Sequence, residues 1–181
     1  MPRLLSLLLL ALGLLWGGRY IQSQRALPPA TPSATAPIDY RIEQPTLSQS
    51  SANGTPRERL QATRLIHYPE RQLSELLQPR LNLYSNEAQW QLQANGGLLY
   101  DSGQLLLQQQ VELYGPFSEW PQGYRLQTET LSIDMALRQL SAPEPVTLHH
   151  PQLTIRAGGL ELALQTQQLH LFNGVTALYQ P

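Results

Sequence analysis

The sequence predicts an all-β fold: an elongated antiparallel β-jellyroll or trough of repeated short strands, preceded by one N-terminal transmembrane helix. Three observations predict it. A short phrase recurs at nearly even steps, as Leu60-Gln61-Ala62, Leu92-Gln93-Ala94, Leu126-Gln127-Thr128 and Ile155-Arg156-Ala157. A second phrase follows each copy at a nearly constant offset: Leu81-Asn82-Leu83, Val111-Glu112-Leu113, Val146-Thr147-Leu148 and Val175-Thr176-Ala177. Within the units apolar residues recur at every second position, as Trp90, Leu92 and Ala94 do between Gln89, Gln91 and Gln93. Strands expose alternate residues on opposite faces, so this pattern separates an apolar from a polar face. A repeat of this length also suits helical solenoids, but period-two alternation argues against those.

The elements follow in chain order. Leu4 to Ile21 is an 18-residue apolar run containing Arg19. A bilayer core takes about 20 helical residues. Arg19 can snorkel to the headgroups, and Trp16 and Tyr20 suit the interface. The rival reading is a cleaved signal peptide, but the small-x-small triplet after Trp16, "ATA" at 34–36, lies too far downstream and precedes Pro37, so 1–21 reads as an uncleaved signal-anchor. Residues 22–37, "QSQRALPPATPSATAP", have four prolines and no apolar periodicity; they read as an extended tether. The β domain then runs 38–181. A degraded half-unit opens it, since "PTLSQSS" (45–51) resembles "PRLNLYS" (79–85). "PERQLSELLQP" (69–79) has helical spacing of Leu73, Leu76 and Leu77, yet its place in the repeat predicts a strand. Turn signals at "ANGG", "DSG", "AGG" and "FNG" punctuate the remainder.

Composition removes several chemistries. The chain has 181 residues and a net charge of −1, so no nucleic-acid partner is implied. All 12 basic residues are Arg, which excludes Schiff-base lysines and P-loop lysines. There is no Cys, hence no disulfide, thiol nucleophile or Cys-ligated metal. His67, His149, His150 and His170 are scattered, and the His149-His150 pair reads as exposed loop histidines rather than a metal site. No catalytic constellation is found, so neither enzyme activity nor a cofactor is expected.

What remains is an apolar interior and two sheet edges. Leu60, Leu83, Leu92, Leu107, Leu113, Leu126, Ile133, Leu148, Ile155 and Leu162 are expected to point inward. They fit a close-packed sandwich core or the wall of a groove that accepts alkyl chains. The final strand, Val175 to Tyr179, has little after it to shield its backbone, so a partner could add a strand there.

Anchor, tether and Leu-rich repetitive β domain together resemble the LptC family, the lipopolysaccharide-export component of the Lpt bridge. The best local matches are "SANGTPRERLQA" with Gly54, "LQPRLNLY" (77–84), "LQQQVELYG" (107–115) and "AGGLELAL" (157–164). The resemblance covers essentially the whole chain. It implies a periplasmic β-jellyroll held in the inner membrane by a single-pass anchor. It implies lipopolysaccharide received from the LptBFG transporter, through the membrane helix and N-terminal edge, and handed to LptA at the C-terminal edge. Gly54 and Gly159 look like the family's two characteristic glycines; Val175, Ala177 and Tyr179 look like its partner-facing strand. With the resemblance added, the groove reading overtakes the plain core. The alternative is a membrane-tethered adaptor that joins proteins through its edges and binds no lipid.

Overall fold

The computed structural model describes residues 37–85, 88–117 and 120–179. They belong to one compact unit, Ala36–Pro181. The expected anchor, 1–21, and all of the tether but Pro37 lie outside the described residues. Among the described residues no helix is long and apolar enough to cross a membrane.

The strands are β1 (Tyr40–Glu43), β2 (Thr46–Ser50), β3 (Pro56–Gln61), β4 (Arg64–Tyr68), β5 (Leu73–Leu77), β6 (Arg80–Ser85), β7 (Ala88–Gln93) and β8 (Gly96–Tyr100). The long pair β9 (Gln104–Phe117) and β10 (Trp120–Asp134) follows. Then come β11 (Gln139–Ala142), β12 (Val146–His150), β13 (Leu153–Ala157), β14 (Gly159–Ala163), β15 (Gln168–Phe172) and β16 (Thr176–Tyr179). All pairings given for them are antiparallel. One layer runs β1-β4-β5-β8-β9-β10-β11-β14-β15; the other runs β2-β3-β6-β7-β9-β10-β12-β13-β16. Strands β9 and β10 belong to both, because each bends midway. Their register shifts between Thr128 and Thr130, opposite Gln109 and Gln110, which sit at φ 65° and 55°.

Every other crossing between layers is also a corner, and the corners line up along one side of the trough. Backbone bonds string them together: Gln44 N–H donates to Thr63 O (2.9 Å), Thr63 to Leu77 O (2.8 Å), Gln78 to Asn95 O (2.9 Å) and Asn95 to Gln109 O (3.0 Å). Gln44 and Gln78 take φ 52° and 50°, each immediately before a proline. This shared corner explains why 45–51 resembles 79–85: β2 and β6 leave equivalent corners into the same layer. The hairpin turns lie on the opposite side, which forms the mouth.

The repeat is the second layer. Register pairs Leu47 with Leu60, Leu60 with Leu81, Leu81 with Leu92, Leu92 with Leu113, Leu113 with Leu126, Leu126 with Leu148, Leu148 with Ile155, and Ile155 with Ala177. One apolar row therefore crosses all nine strands of that layer. The phrases stay in phase because roughly 20 residues suffice to turn a corner, run two short strands of the first layer and return. The segment with helical spacing forms a strand, as the repeat predicts: Pro69–Arg71 is a single 3₁₀ turn, and β5 pairs with β4 and β8. The histidine expectation is corrected. His149 and His150 lie in β12, half-buried, rather than in an exposed loop, because the alternation of Val146 and Leu148 carries the strand through to His150.

Candidate functional site

The interior is built from both layers. Leu60, Leu81, Leu83, Leu92, Leu113, Leu126 and Leu148 come from the second layer. They pack in one cluster against Leu65, Leu76, Leu105, Leu107, Leu131, Ile133, Leu140, Leu160 and Leu162 of the first. Each fully buried leucine contributes about 2 kcal/mol of hydrophobic stabilisation. Nine of the ten residues expected to face inward are buried: Leu60, Leu83, Leu92, Leu107, Leu113, Leu126, Ile133, Leu148 and Leu162. Ile155 is half-buried, because its row runs out toward the C-terminal end.

At mid-length the walls touch. Trp90, Leu105, Leu107, Leu126, Leu131, Ile133, Leu148 and Leu160 are all 0% exposed. Trp90 crosses to the backbone of β9, where a Cβ at Gly115 would lie 2.0 Å from its ring. Space is found at the periphery. A cavity of about 640 Å³ lies at the N-terminal end between the layers, lined by Leu47, Leu60, Leu99, Leu105 and Met135, with Glu58 among them. A second, of about 980 Å³, lies at the mouth between the hairpin turns of the two layers, beside Arg57, Tyr84 and Arg138. The polar furrow along the corners, of about 600 Å³, is lined by Gln44, Gln78, Gln93, Asn95, Gln110 and their neighbours.

Among the described residues, the charged side chains that enter the interior lie at the mouth. Glu58 pairs with Leu83 across the sheet and so shares its inward face. Burial raises its carboxyl above the ordinary value, partly countered by Arg138 and then Arg57. Arg138, 7% exposed, sits in the β10–β11 turn at φ 55°. Its Nη2 donates to Tyr84 O across the mouth at 2.6 Å, linking the layers. Burial, then the like charge of Arg57, lowers its pKa, while Glu58 opposes the shift. The alternation of Glu58 with Leu60 is legible in "PRERLQ". Nothing local to Arg138 signals a partner as far back in the chain as Tyr84.

On the outer face of the second layer Glu112 gathers three donors. Tyr114 Oη (2.6 Å), Gln93 Nε2 (2.7 Å) and Gln127 Nε2 (2.8 Å) reach it from its own strand and both neighbours. The Tyr114 bond first, then Gln127 and Gln93, hold its carboxyl below the ordinary range. This fastens the outer face of β7, β9 and β10 opposite the leucine row.

Among the described residues, the strands at the ends of the two layers differ from the middle. At one end Ile38, Tyr40, Ile42 and Leu47 are exposed; at the other Val175, Leu178 and Tyr179 are. Strand β16 begins at Thr176, so Val175 precedes it. Ala177 and Tyr179 pair with Ile155 and Leu153, which puts them on the inward face. Gly54 lies in the β2–β3 turn at φ +85° with open space where a Cβ would be. Gly159 instead meets Phe172, whose ring would lie 2.3 Å from an added Cβ, so close approach and not φ is its reason.

The chain matches the family described as LptC, "Lipopolysaccharide-assembly, LptC-related", over residues 5–180. No curated protein matches its sequence. Among solved structures it is similar to LptH of Pseudomonas aeruginosa, described as the LptA-homologous periplasmic component of the lipopolysaccharide transport device. The TM-score is 0.54 at 10% identity, over 68% of this chain and 95% of that one. That likeness bears on the fold, which the two chains share. A family match over nearly the full length goes further: the chain belongs to the LptC-related family of lipopolysaccharide assembly.

Proposed function

We propose that this chain carries lipopolysaccharide from the inner toward the outer membrane as a passive conduit. Residues 1–21 anchor it once in the inner membrane, 22–37 tether it, and 38–181 form its periplasmic domain. Lipopolysaccharide arrives from an LptBFG transporter at the N-terminal edge and leaves to an LptA-like protein at the C-terminal edge. The supporting observation is the apolar row from Leu47 to Ala177. It crosses the whole layer and, among the described residues, ends in an unpaired strand edge at both extremities, so a partner strand added to β16 continues it. The acyl chains lie against Leu60, Leu83, Leu92, Leu107, Leu113, Leu126, Ile133, Leu148, Ile155 and Leu162. No catalytic group is needed; ATP-driven work belongs to the transporter.

Photoreactive residues decide this. Labels at Leu92, Leu126 or Ile155 are expected to crosslink to lipopolysaccharide, and labels at Gln93 or Gln127 on the opposite face are not. Equal labelling of both sets sinks the groove. The fully buried middle favours a second reading, an adaptor whose interior is only core. Under it, no inward position crosslinks lipid.

A further inference from the structure

The packed middle poses a question that the conduit reading leaves open, and the answer rests on that reading. Alkyl chains enter only if the two layers part at the mouth. There Arg138 of the first layer donates to the Tyr84 carbonyl of the second at 2.6 Å. A neutral carbonyl is a modest partner for a buried guanidinium. A phosphomonoester accepts two parallel, charge-assisted bonds from the same fork and is the stronger competitor. Arg57 lies on the same cavity, whose volume of about 980 Å³ admits a sugar phosphate. Glu58 is the carboxylate coupled to both arginines, so this group of three carries a net charge of +1.

We propose that Arg138 is a latch across the mouth, and that a phosphate on the headgroup of the incoming glycolipid opens it. The phosphate takes the guanidinium from Tyr84 O, Arg57 supplies the second cation, and the released hairpin of β10 and β11 lets the layers separate over the acyl chains. Headgroup recognition and groove opening are then one event, and an apolar molecule without an anionic group fails to open the mouth.

The chain has no Cys, so spin labels can be placed at will. Ala52→Cys in the β2–β3 turn and Leu137→Cys in the β10–β11 turn are exposed and flank the mouth. The full-length protein is reconstituted in phosphatidylcholine nanodiscs, and the label separation and lipid affinity are measured. The probes are lipid A with its phosphates, the same lipid A stripped of them, and inorganic phosphate. Phosphorylated lipid A is expected to widen the separation and to bind about tenfold or more tighter than the stripped form. In Arg138→Gln the separation is already wide without lipid, and the preference falls to about twofold. Arg57→Gln, at the half-exposed rim, weakens the preference while leaving the lipid-free separation unchanged, which covers the case in which Arg138→Gln fails to fold. Equal affinity of both lipids for the unmutated arginines overturns the latch but spares the conduit. Undiminished preference in Arg138→Gln overturns it too. Opening by inorganic phosphate alone, to the same width, removes the headgroup from the proposal. Binding of neither lipid overturns latch and conduit together.

Discussion

Three glycines separate two kinds of local constraint. At Gly115 and Gly159 an added Cβ would lie 2.0 Å and 2.3 Å from the rings of Trp90 and Phe172; at Gly54 it would meet nothing. Alanine at Gly115 or Gly159 is expected to cost about 1–3 kcal/mol through overpacking, with Gly115 the costlier because Trp90 is fully buried. Alanine at Gly54 costs only the left-handed backbone, about 1 kcal/mol. Urea unfolding ranks the three, and equal costs would remove the distinction. The sequence showed where Gly54 and Gly159 stand but not which constraint acts, because the ring that meets Gly159 belongs to the next strand. Glu112 makes a prediction in pH. Its folded carboxyl is depressed below the ordinary 4.5. The stability it contributes is therefore present above the unfolded value and lost as pH falls through the folded one. Glu112→Gln should flatten the acid limb of the stability curve below about pH 4.5, read by unfolding at a series of pH values, and leave that curve's slope near neutrality unchanged.

Among the elements, β16 is held on one side only, by β13 through Leu153 to Arg156. Among the described residues no strand pairs with its other side, and its four residues are exposed. Deleting 174–181 is expected to abolish capture of an LptA-like partner in a pull-down while leaving lipid binding by the protein intact. Undiminished capture moves the interface to the N-terminal edge, Tyr40 to Leu47. The strands of the second layer were legible because eight of the nine carry one of the two repeated phrases in the same register. Those of the first were less so. Strands β4, β5, β8, β11 and β15 have four or five residues each, too few for alternation to declare itself, although Leu160, Leu162 and Leu164 alternate with Glu161 and Ala163 along β14 and just past it. In β5, Leu73, Ser74 and Leu76 are all buried, which mixes the two periods. The latch escaped the sequence for a different reason: a turn arginine has no periodicity, and its partner is a backbone carbonyl that any residue supplies.

Taken whole, the domain has a stiff middle and soft ends. The long strands β9 and β10 pair with each other through both layers, whereas β1, β2 and β16 are exposed along their whole length. Hydrogen exchange should be slowest over Leu105–Leu113 and Leu126–Ile133 and fastest over β1, β2 and β16. Slow exchange at the ends of the isolated protein would mean that they are already covered, contrary to a role in joining partners. The softness sits where strands from another chain would be added.

The leucine row has one more consequence. It runs along the hydrogen-bonding direction, so its residues are spaced by the distance between strands, about 4.8 Å, and nine strands extend it over roughly 40 Å. A hydrocarbon chain displaced by one strand meets nearly the same surroundings as before. In the proposed conduit, the landscape along the axis is therefore a shallow corrugation without a deep well. Such a track has no preferred direction of its own. In such a conduit direction comes from loading at one end and removal at the other, and a partner strand that continued the row would extend the track without adding a step.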